Sequence, residues 1–261
     1  MNDKSDLKIE TETVTKGLFK DFLKKIPLAK KVVENLNQQY ERDRFVISEL
    51  QSLKDGSVLL DAGCGSQRYR RYCSHLEYRG QDFGEYVVDE RKILGTEGVG
   101  GNKGYGYGPL SYRGDIWAID ESDDYFDAVL CTEVFEHIPF PIETITEFTR
   151  LLKPGGKLIL TAPNACLRHM DPYFFYTGFS DNWYTKILEE NGLEIKILEP
   201  VGDYYRYMAV EVARTIATHT ILAKILLMPT FLYYYFKKKT DVSRNTLCGG
   251  YHVVATKKFV S

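Results

Sequence analysis

The chain has 261 residues, of which 44% are hydrophobic and 27% are charged, and its formal net charge is −2. This is an ordinary globular composition, long enough for one large α/β domain, and it provides no overall basic field that would favour nucleic acid. The five cysteines form no CxxC pair, so neither a disulfide framework nor a zinc site is indicated. The first ten residues are polar and unlike a secretory signal, and we expect a cytoplasmic protein.

The first part of the chain is predicted to be helical. Residues 14–54 place apolar side chains at helical spacing, for example at Phe19, Phe22 and Ile26. Pro27 should interrupt this helix, and the turn at Asp55 and Gly56 should end the region.

Short apolar runs then alternate with helical stretches. Strands are predicted at 57–61, 78–82, 126–131, 157–161, 193–198 and 251–256, and helices at 142–152 and 181–191. This alternation indicates a mostly parallel sheet that is covered on both faces. Residues 95–108 contain seven glycines and predict a loop. We find no linker, and we expect one domain over 1–261 with a cofactor-binding core at 57–200.

The segment before the last strand (251–258) is aromatic and aliphatic, and it predicts a helical insertion at 204–245. Its most apolar part, 221–236, is shorter than the ~20 residues needed to span a bilayer. One interpretation is that this part packs on the domain or on a second subunit of a homodimer. The other is peripheral membrane contact through 221–239, with Lys237, Lys238 and Lys239 near anionic headgroups.

The strongest motif is VLLDAGCGS, Val58 to Ser66, where an apolar strand runs into a glycine-rich turn. Glycines there let a ligand lie against bare peptide groups, and a crossover helix should follow with its amides facing the ligand. Asp82 follows Asp61 by 82 − 61 = 21 residues, at the end of the second strand, where a carboxylate can hold a ribose diol. A dinucleotide fingerprint would place a third glycine near position 68, but this chain has Arg68 there.

Three further motifs follow in order. They are Gly114 to Ile116 (GDI), Phe126 to Ile138 (FDAVLCTEVFEHI) and Leu151 to Pro163 (LLKPGGKLILTAP). With the glycine-rich turn, the set resembles the class I S-adenosylmethionine-dependent methyltransferases, in the subgroup with EH and LKPGG motifs. The resemblance covers about residues 45–200. It implies a Rossmann-like, mostly parallel seven-stranded sheet with helices on both faces, N-terminal helices and a helical insertion before the last strand.

The resemblance also implies S-adenosylmethionine as the cofactor and nine residues around it. The loop after the first strand would hold the methionine part, and the end of the second strand the ribose and adenine. The GDI acid would accept from the adenine amino group, and the tip of the FDAVLCT strand would face the sulfonium. In chain order these residues are Asp61, Gly63, Gly65, Asp82, Phe83, Asp115, Ile116, Cys131 and Thr132.

The segment from Arg168 to Ser180 follows the strand at 157–161, so it should line the acceptor pocket, or else form an aromatic lid on the core. Transfer to a hydroxyl needs a group that removes its proton. The candidates are His137 and His169, with Asp171 as an alternative base or as the group that orients a histidine. His137 has a structural role as its alternative. No cluster with metal-ligand spacing is seen, and a metal-free mechanism is expected.

These features together favour O-methylation of a small-molecule or saccharide acceptor. Two alternatives stay open: a dinucleotide-dependent oxidoreductase of similar topology, and a non-catalytic homologue that only binds the cofactor. Methylation of RNA or protein is less favoured, because no basic stripe or recognition domain is visible.

Overall fold

The computed structural model describes residue 36 and residues 38–85, 106–218 and 220–259. The predicted helix before residue 36 and most of the glycine-rich loop at 95–108 therefore lie outside the described residues. The first helix bounded in the structure, α1, covers Gln38–Gln51 and agrees with the predicted helical region.

Seven strands form one sheet, as the fold class predicted. They are β1 (Val58–Ala62), β2 (Glu77–Asp82), β3 (Tyr112–Arg113), β4 (Phe126–Thr132), β5 (Leu152–Pro163), β6 (Leu193–Val201) and β7 (Gly250–Lys257). Their spatial order is β3-β2-β1-β4-β5-β7-β6. Among the described strands, β7 alone runs in the opposite direction, and it pairs antiparallel with β5 and β6. Because the chain moves outward from β1 in one direction and from β4 in the other, a crevice opens where β1 and β4 end, and ligands bind at such a reversal.

Helices cover both faces of this sheet. Helices α2 (Pro141–Leu151) and α3 (Asp181–Glu190) pack on the face that includes Leu60, whereas α1 packs on the face that includes Leu59. Successive residues of a strand point to opposite faces, so an unbroken apolar run such as that of β1 serves both cores. Both leucines are fully buried.

The connection from β1 to β2 corrects a prediction. The expected crossover helix is absent from this described stretch, which contains only a 3₁₀ turn at Arg70–Tyr72. Apolar side chains do lie at helical spacing here, at Tyr69, Tyr72, Cys73 and Leu76, and they pack on the face that α1 covers. The segment is tied to α1, because Arg68 Nε and Tyr69 Oη both donate to Asp43 Oδ1, at 3.2 and 2.8 Å. No helix dipole therefore points at the ligand here, and the loop's own amides must provide the contact.

The LKPGG segment lies at the start of β5, which is longer than predicted. Leu152 pairs with Phe126, and the next pair along the strands joins Lys157 to Ala128, so the residues between them form an irregularity. Gly155 has φ +78 there, a left-handed conformation that suits glycine. This supports a structural role for the motif. The two-residue β3 had no recognisable pattern in the sequence.

The predicted helical insertion joins β6 to β7. It comprises α4 (Tyr204–Thr218), α5 (Ile221–Tyr235) and α6 (Asp241–Thr246). Among the described residues, every helix is too short or too polar to cross a bilayer.

Candidate active site

A cleft of about 450 Å³ opens at the carboxyl ends of β1, β2 and β4. Its volume is typical of a small-molecule or cofactor site. Eight of the nine predicted cofactor residues line it: Asp61, Gly63, Gly65, Asp82, Phe83, Asp115, Ile116 and Thr132. The ninth, Cys131, is fully buried one residue before Thr132 and does not line the cleft.

The loop after β1 depends on glycine at one position in particular. Gly63 has φ +68, and a Cβ placed on it would lie 2.6 Å from Val134 Cγ2. A side chain at this position is therefore excluded both by the backbone conformation and by the floor of the cleft. Steric exclusion of a side chain thus explains why glycine stands at this position of the loop.

Gln67 adopts a glycine-like conformation in the same loop. Its φ is 57, and it is buried. Its side-chain Nε2 donates to Pro109 O at 2.9 Å, while its Oε1 accepts from Arg70 Nη1 at 2.8 Å. These hydrogen bonds offset the strain of a left-handed non-glycine residue, which is on the order of 1 kcal/mol.

Asp82 links the end of β2 to the loop after β1. Its Oδ2 accepts from the Gly65 N–H at 2.9 Å, and its Oδ1 accepts from the Gly84 N–H at 3.0 Å. An ionised carboxylate has about four lone-pair positions, so two remain for the hydroxyl groups of a ribose.

Gln81 is a site residue that the sequence did not reveal. Its Oε1 accepts from the Gly63 N–H at 3.1 Å, and its Nε2 donates to Gly114 O at 2.7 Å. It is buried and lines the cleft. One amide thus joins the loop after β1 to the GDI segment, and its only sequence signal was a polar residue within a strand, next to Asp82.

Asp61 is a buried acid with one strong partner. Its Oδ2 accepts from Tyr78 Oη at 2.6 Å. Burial raises the pKa of Asp61 to about 7. The hydrogen bond from Tyr78 acts to lower this pKa, and the charge of nearby Asp82 acts to raise it. Its charge is therefore sensitive to pH in the neutral range.

Glu133 and Arg42 form an ion pair at the cleft wall, which the sequence analysis missed. Arg42 Nη1 lies 2.9 Å from Glu133 Oε2, and Thr161 Oγ1 donates to Glu133 Oε1 at 3.0 Å. Glu133 follows the tip of β4, so its position past a strand end was a usable signal. Arg42 comes from α1, and nothing in the local sequence marks it.

His137 and His169 lie side by side, with ring centroids 4.7 Å apart, although only His137 lines the cleft. His137 Nδ1 is 2.6 Å from Tyr173 O, and His169 Nδ1 is 2.8 Å from Leu167 O. Because a carbonyl can only accept, each Nδ1 carries the hydrogen and each neutral ring keeps a free lone pair on Nε2. Burial, and then the neighbouring His169, lower the pKa of His137 to about 4.

Glu136 completes a cluster with the two histidines. One ligand atom from each of the three residues lies within 4.8 Å of the others, an arrangement that could hold a metal ion. Burial raises the pKa of the Glu136 carboxyl, and the charge of Glu133 raises it further.

Asp171 pairs with an arginine, whereas the sequence suggested that it could orient a histidine. Arg168 Nε donates to both of its oxygens, at 2.9 and 3.0 Å. Backbone carbonyls, rather than this carboxylate, hold the two imidazoles in place.

The segment 168–180 contributes both to the cleft wall and to the core. Met170, Tyr173 and Phe175 line the cleft, whereas Phe179 is buried in the core.

The chain has a Rossmann-like α/β fold with a cofactor-sized cleft at its topological switch point. A sequence profile described as a methyltransferase domain matches residues 35–198, more than half of the chain. The chain belongs to this methyltransferase domain family, the class I S-adenosylmethionine-dependent methyltransferases.

Curated relatives share part of the sequence. The ubiquinone biosynthesis O-methyltransferase of Xanthomonas oryzae pv. oryzae is 34% identical over 111 residues, which cover 42% of this chain and 44% of that protein. The enzyme of the same name from Dechloromonas aromatica is 46% identical over 50 residues, 19% of this chain and 20% of that one. The match thus spans less than half the length of these relatives.

Solved structures show the same fold. The [4+2]-cyclase SpnF superposes with a TM-score of 0.51 at 19% identity, covering 85% of this chain and 82% of that one. The phosphoethanolamine N-methyltransferase 2 of Haemonchus contortus, in complex with S-adenosyl-L-methionine, has a TM-score of 0.49 at 18% identity, covering 95% and 61%. At such identities the likeness concerns the fold alone.

The described residues fit S-adenosylmethionine, the family's cofactor. Gly63 leaves bare peptide where a Cβ would collide, and Asp82 keeps free lone pairs for a ribose. Asp61 adds a second acid to the same cleft, which suits a ligand that carries positive charge.

Proposed function

We propose that this protein transfers a methyl group from S-adenosylmethionine to a hydroxyl oxygen of a small molecule or saccharide. The observation that carries the proposal is the shared cleft, in which Asp61, Asp82 and Asp115 lie together with His137. Cofactor-binding groups and a group able to activate an acceptor thus meet in one space.

On the donor side, the chain's role is to bind and orient. When bound, S-adenosylmethionine supplies an electrophilic methyl group for direct displacement. Asp82 would hold the ribose, Asp115 the adenine amino group, and Phe83 and Ile116 would pack on the base. Such positioning supplies much of the rate of a displacement, together with the exclusion of water.

On the acceptor side, the hydroxyl proton must be removed as the oxygen attacks, and a well-placed group contributes about 10² to 10⁴ in rate. The Nε2 lone pair of His137, which lines the cleft, supports activation there, and His169 lies beside this ring. With a pKa near 4, His137 is a weak base at neutral pH, but its lone pair is available to a hydroxyl or a cation.

Oxygen is favoured as the attacking atom of the acceptor by the names of the relatives, which are O-methyltransferases of ubiquinone biosynthesis. Hydroxylated precursors of ubiquinone are therefore the first acceptors to test, followed by phenols and saccharides with free hydroxyls.

The test combines cofactor binding with turnover. We expect S-adenosylmethionine, and not NAD, to bind in a calorimetric titration, and radiolabelled methyl to appear on one of these acceptors. Stabilisation by NAD alone would instead favour the oxidoreductase. Cofactor binding without turnover on any acceptor would favour a non-catalytic homologue.

A further inference from the structure

We propose that Glu136, His137 and His169 bind a divalent transition-metal ion beside the cleft, where the ion activates the acceptor hydroxyl. This inference rests on the proposed methyl transfer. Within the described part of the chain, these residues bring one carboxylate and two imidazole ligand atoms within 4.8 Å of one another.

The two imidazoles are oriented as metal ligands usually are. His137 and His169 each direct Nδ1–H at a backbone carbonyl, that of Tyr173 and that of Leu167. Metal-ligating histidines almost always donate their other ring N–H in this way, which fixes the tautomer and the ring plane. Both Nε2 atoms consequently keep a lone pair for a metal ion, and the two ring centroids lie 4.7 Å apart.

Glu136 supplies an independent observation. Its side chain is 2% exposed, and its Oε2 has no hydrogen-bond partner among the described residues. Its Oε1 lies 3.6 Å from His137 Nε2. Burying a carboxylate without a partner is strongly unfavourable. The Arg42 guanidinium pairs with Glu133, so a bound cation would supply the missing charge at Glu136.

The donor set indicates which ions would bind. Two imidazole nitrogens and one carboxylate oxygen suit Zn²⁺, Mn²⁺, Fe²⁺ or Co²⁺ better than Mg²⁺, which prefers oxygen ligands. Three protein ligands leave coordination positions open to a substrate. Bonds of about 2.0–2.2 Å require ligand atoms closer than the 4.8 Å limit found here, so ion binding would draw the three side chains together.

The ion would activate the acceptor hydroxyl by binding its oxygen. A hydroxyl oxygen that binds a divalent cation has a lowered pKa, so its proton passes to solvent water at neutral pH. The oxygen then forms a bond to the methyl carbon as the carbon–sulfur bond breaks, and the sulfonium leaves as a neutral thioether.

The test measures metal binding directly on the full-length chain. Protein treated with EDTA is titrated calorimetrically with Zn²⁺, Mn²⁺ or Mg²⁺, and Co²⁺ binding is followed by visible absorption. We expect one transition-metal ion per chain and weaker binding of Mg²⁺. His169→Gln should weaken ion binding at least about tenfold, since even loss of an outer partner costs that much. The matched control, His75→Gln, should leave it unchanged.

Three outcomes are informative. No binding of Zn²⁺, Mn²⁺ or Co²⁺ by the wild type at millimolar concentration would overturn the metal site, and so would wild-type affinity in both His169→Gln and Glu136→Gln. Cofactor titrations on the same samples separate the two proposals. Ion binding without S-adenosylmethionine binding would count against the methyl transfer and leave the metal site standing.

A second inference rests on a separate feature, the outer face of α5. We infer that this face lies on an anionic lipid surface. Seven large apolar side chains on α5 and at its end are exposed, from 43% at Leu232 to 74% at Phe236. They are Ile221, Leu222, Ile225, Leu226, Leu232, Tyr233 and Phe236.

These side chains form one stripe. At 3.6 residues per turn they fall within an arc of about 140°. The opposite side of α5 faces α4, where the rings of Tyr234 and Tyr204 lie 6.3 Å apart. The helix is thus held along one side, while its most apolar side is presented to solvent, as in helices that lie in a membrane interface.

Charge favours lipid over a protein occupant. No acidic residue occurs from 221 to 240, and Lys237, Lys238 and Lys239 are exposed directly after the helix. A second copy packed through the same stretch of chain would bring no acidic residue of 221–240 to this cluster. The chain's own segment 14–35 carries six lysines and two acids, so it does not match the charge of the cluster either. Anionic headgroups do match it.

The test is co-sedimentation of the full chain with vesicles of equal parts phosphatidylcholine and phosphatidylglycerol, or of phosphatidylcholine alone. We expect binding to the anionic vesicles that weakens with salt. Substitution of Leu222, Ile225 and Leu226 by Ser should reduce the partition coefficient at least about tenfold, because that apolar area no longer enters the lipid. Lys238→Glu/Lys239→Glu should do the same, and Lys54→Glu/Lys186→Glu should not.

Absence of vesicle binding by the wild type would overturn the inference, as would unchanged binding by the serine variant. A wild-type dimer in sedimentation velocity that the serine variant converts to monomer would also overturn it, since the face would then be an interface between two copies.

Discussion

The Asp82 carboxylate accepts a hydrogen bond from the backbone N–H of Gly65 at 2.9 Å, which joins the end of β2 to the loop after β1. The residue proposed to hold the ribose therefore also shapes the loop proposed to hold the methionine part. The end of β2 and the loop after β1 are thus held together, and a substitution in either one should affect the other.

Asp82→Ala should weaken S-adenosylmethionine binding about 10- to 100-fold, because hydrogen bonds to a charged group contribute about 1.5–3 kcal/mol. Titration calorimetry measures the change. Asp120→Ala, at an exposed position outside the cleft, is the control. Equal affinity of Asp82→Ala and the wild type would remove the ribose assignment.

Gly63→Ala should abolish measurable cofactor binding and lower stability by about 2–4 kcal/mol, since it combines a left-handed backbone with a collision at Val134. Gly192→Ala separates the two causes, because Gly192 has φ +76 with open space around its Cβ position. Gly192→Ala should lower the free energy of unfolding by about 1 kcal/mol and leave cofactor binding intact. Denaturant unfolding gives the free energies. A Gly63→Ala variant no less stable than Gly192→Ala would contradict the steric argument.

The stability of the ligand-free protein should depend on Asp61 between about pH 4 and pH 7. Its pKa is about 7 in the folded protein, above the ordinary value, because burial favours the neutral form. The contribution of this group is therefore fully present below its unfolded pKa and is lost as the pH rises through about 7.

Thermal unfolding across this pH range checks the assignment to Asp61. Asp61→Asn should flatten that part of the stability profile. Tyr78→Phe, which removes the hydroxyl donor, should extend the loss to higher pH. The assignment would fail if Asp61→Asn retained the wild-type slope.

Gln81→Glu should weaken cofactor binding although it preserves the shape of the side chain. A carboxylate can still accept from the Gly63 N–H, but it cannot donate to Gly114 O and would face that carbonyl instead. We expect about a tenfold rise in the S-adenosylmethionine Kd, measured by titration, from the loss of one buried hydrogen bond. Gln51→Glu, at the exposed end of α1, should behave as the wild type. Wild-type affinity in Gln81→Glu would show that the amide bridge does not support the cleft.

Local patterns were enough to predict most of the sheet and the acids at its edge. Apolar runs such as that of β1 mark buried strands because both of their faces are covered, and Asp61 and Asp82 were recognisable because strand ends meet at one edge. The same local rules were wrong about a helix after β1, since Arg68 and Tyr69 make their contacts with Asp43, a residue distant in the chain.

The sequence by itself determined six of the seven strands and which acids stand at their ends, because strand formation follows the order of neighbouring side chains. Only the tertiary structure decided that His169 comes beside His137 and Glu136, and that Gln81 bridges two loops. These relationships depend on backbone carbonyls and amides that long-range folding brings together. Almost every residue carries the same backbone groups, so the identity of a residue does not show which partner its backbone will meet in the folded chain.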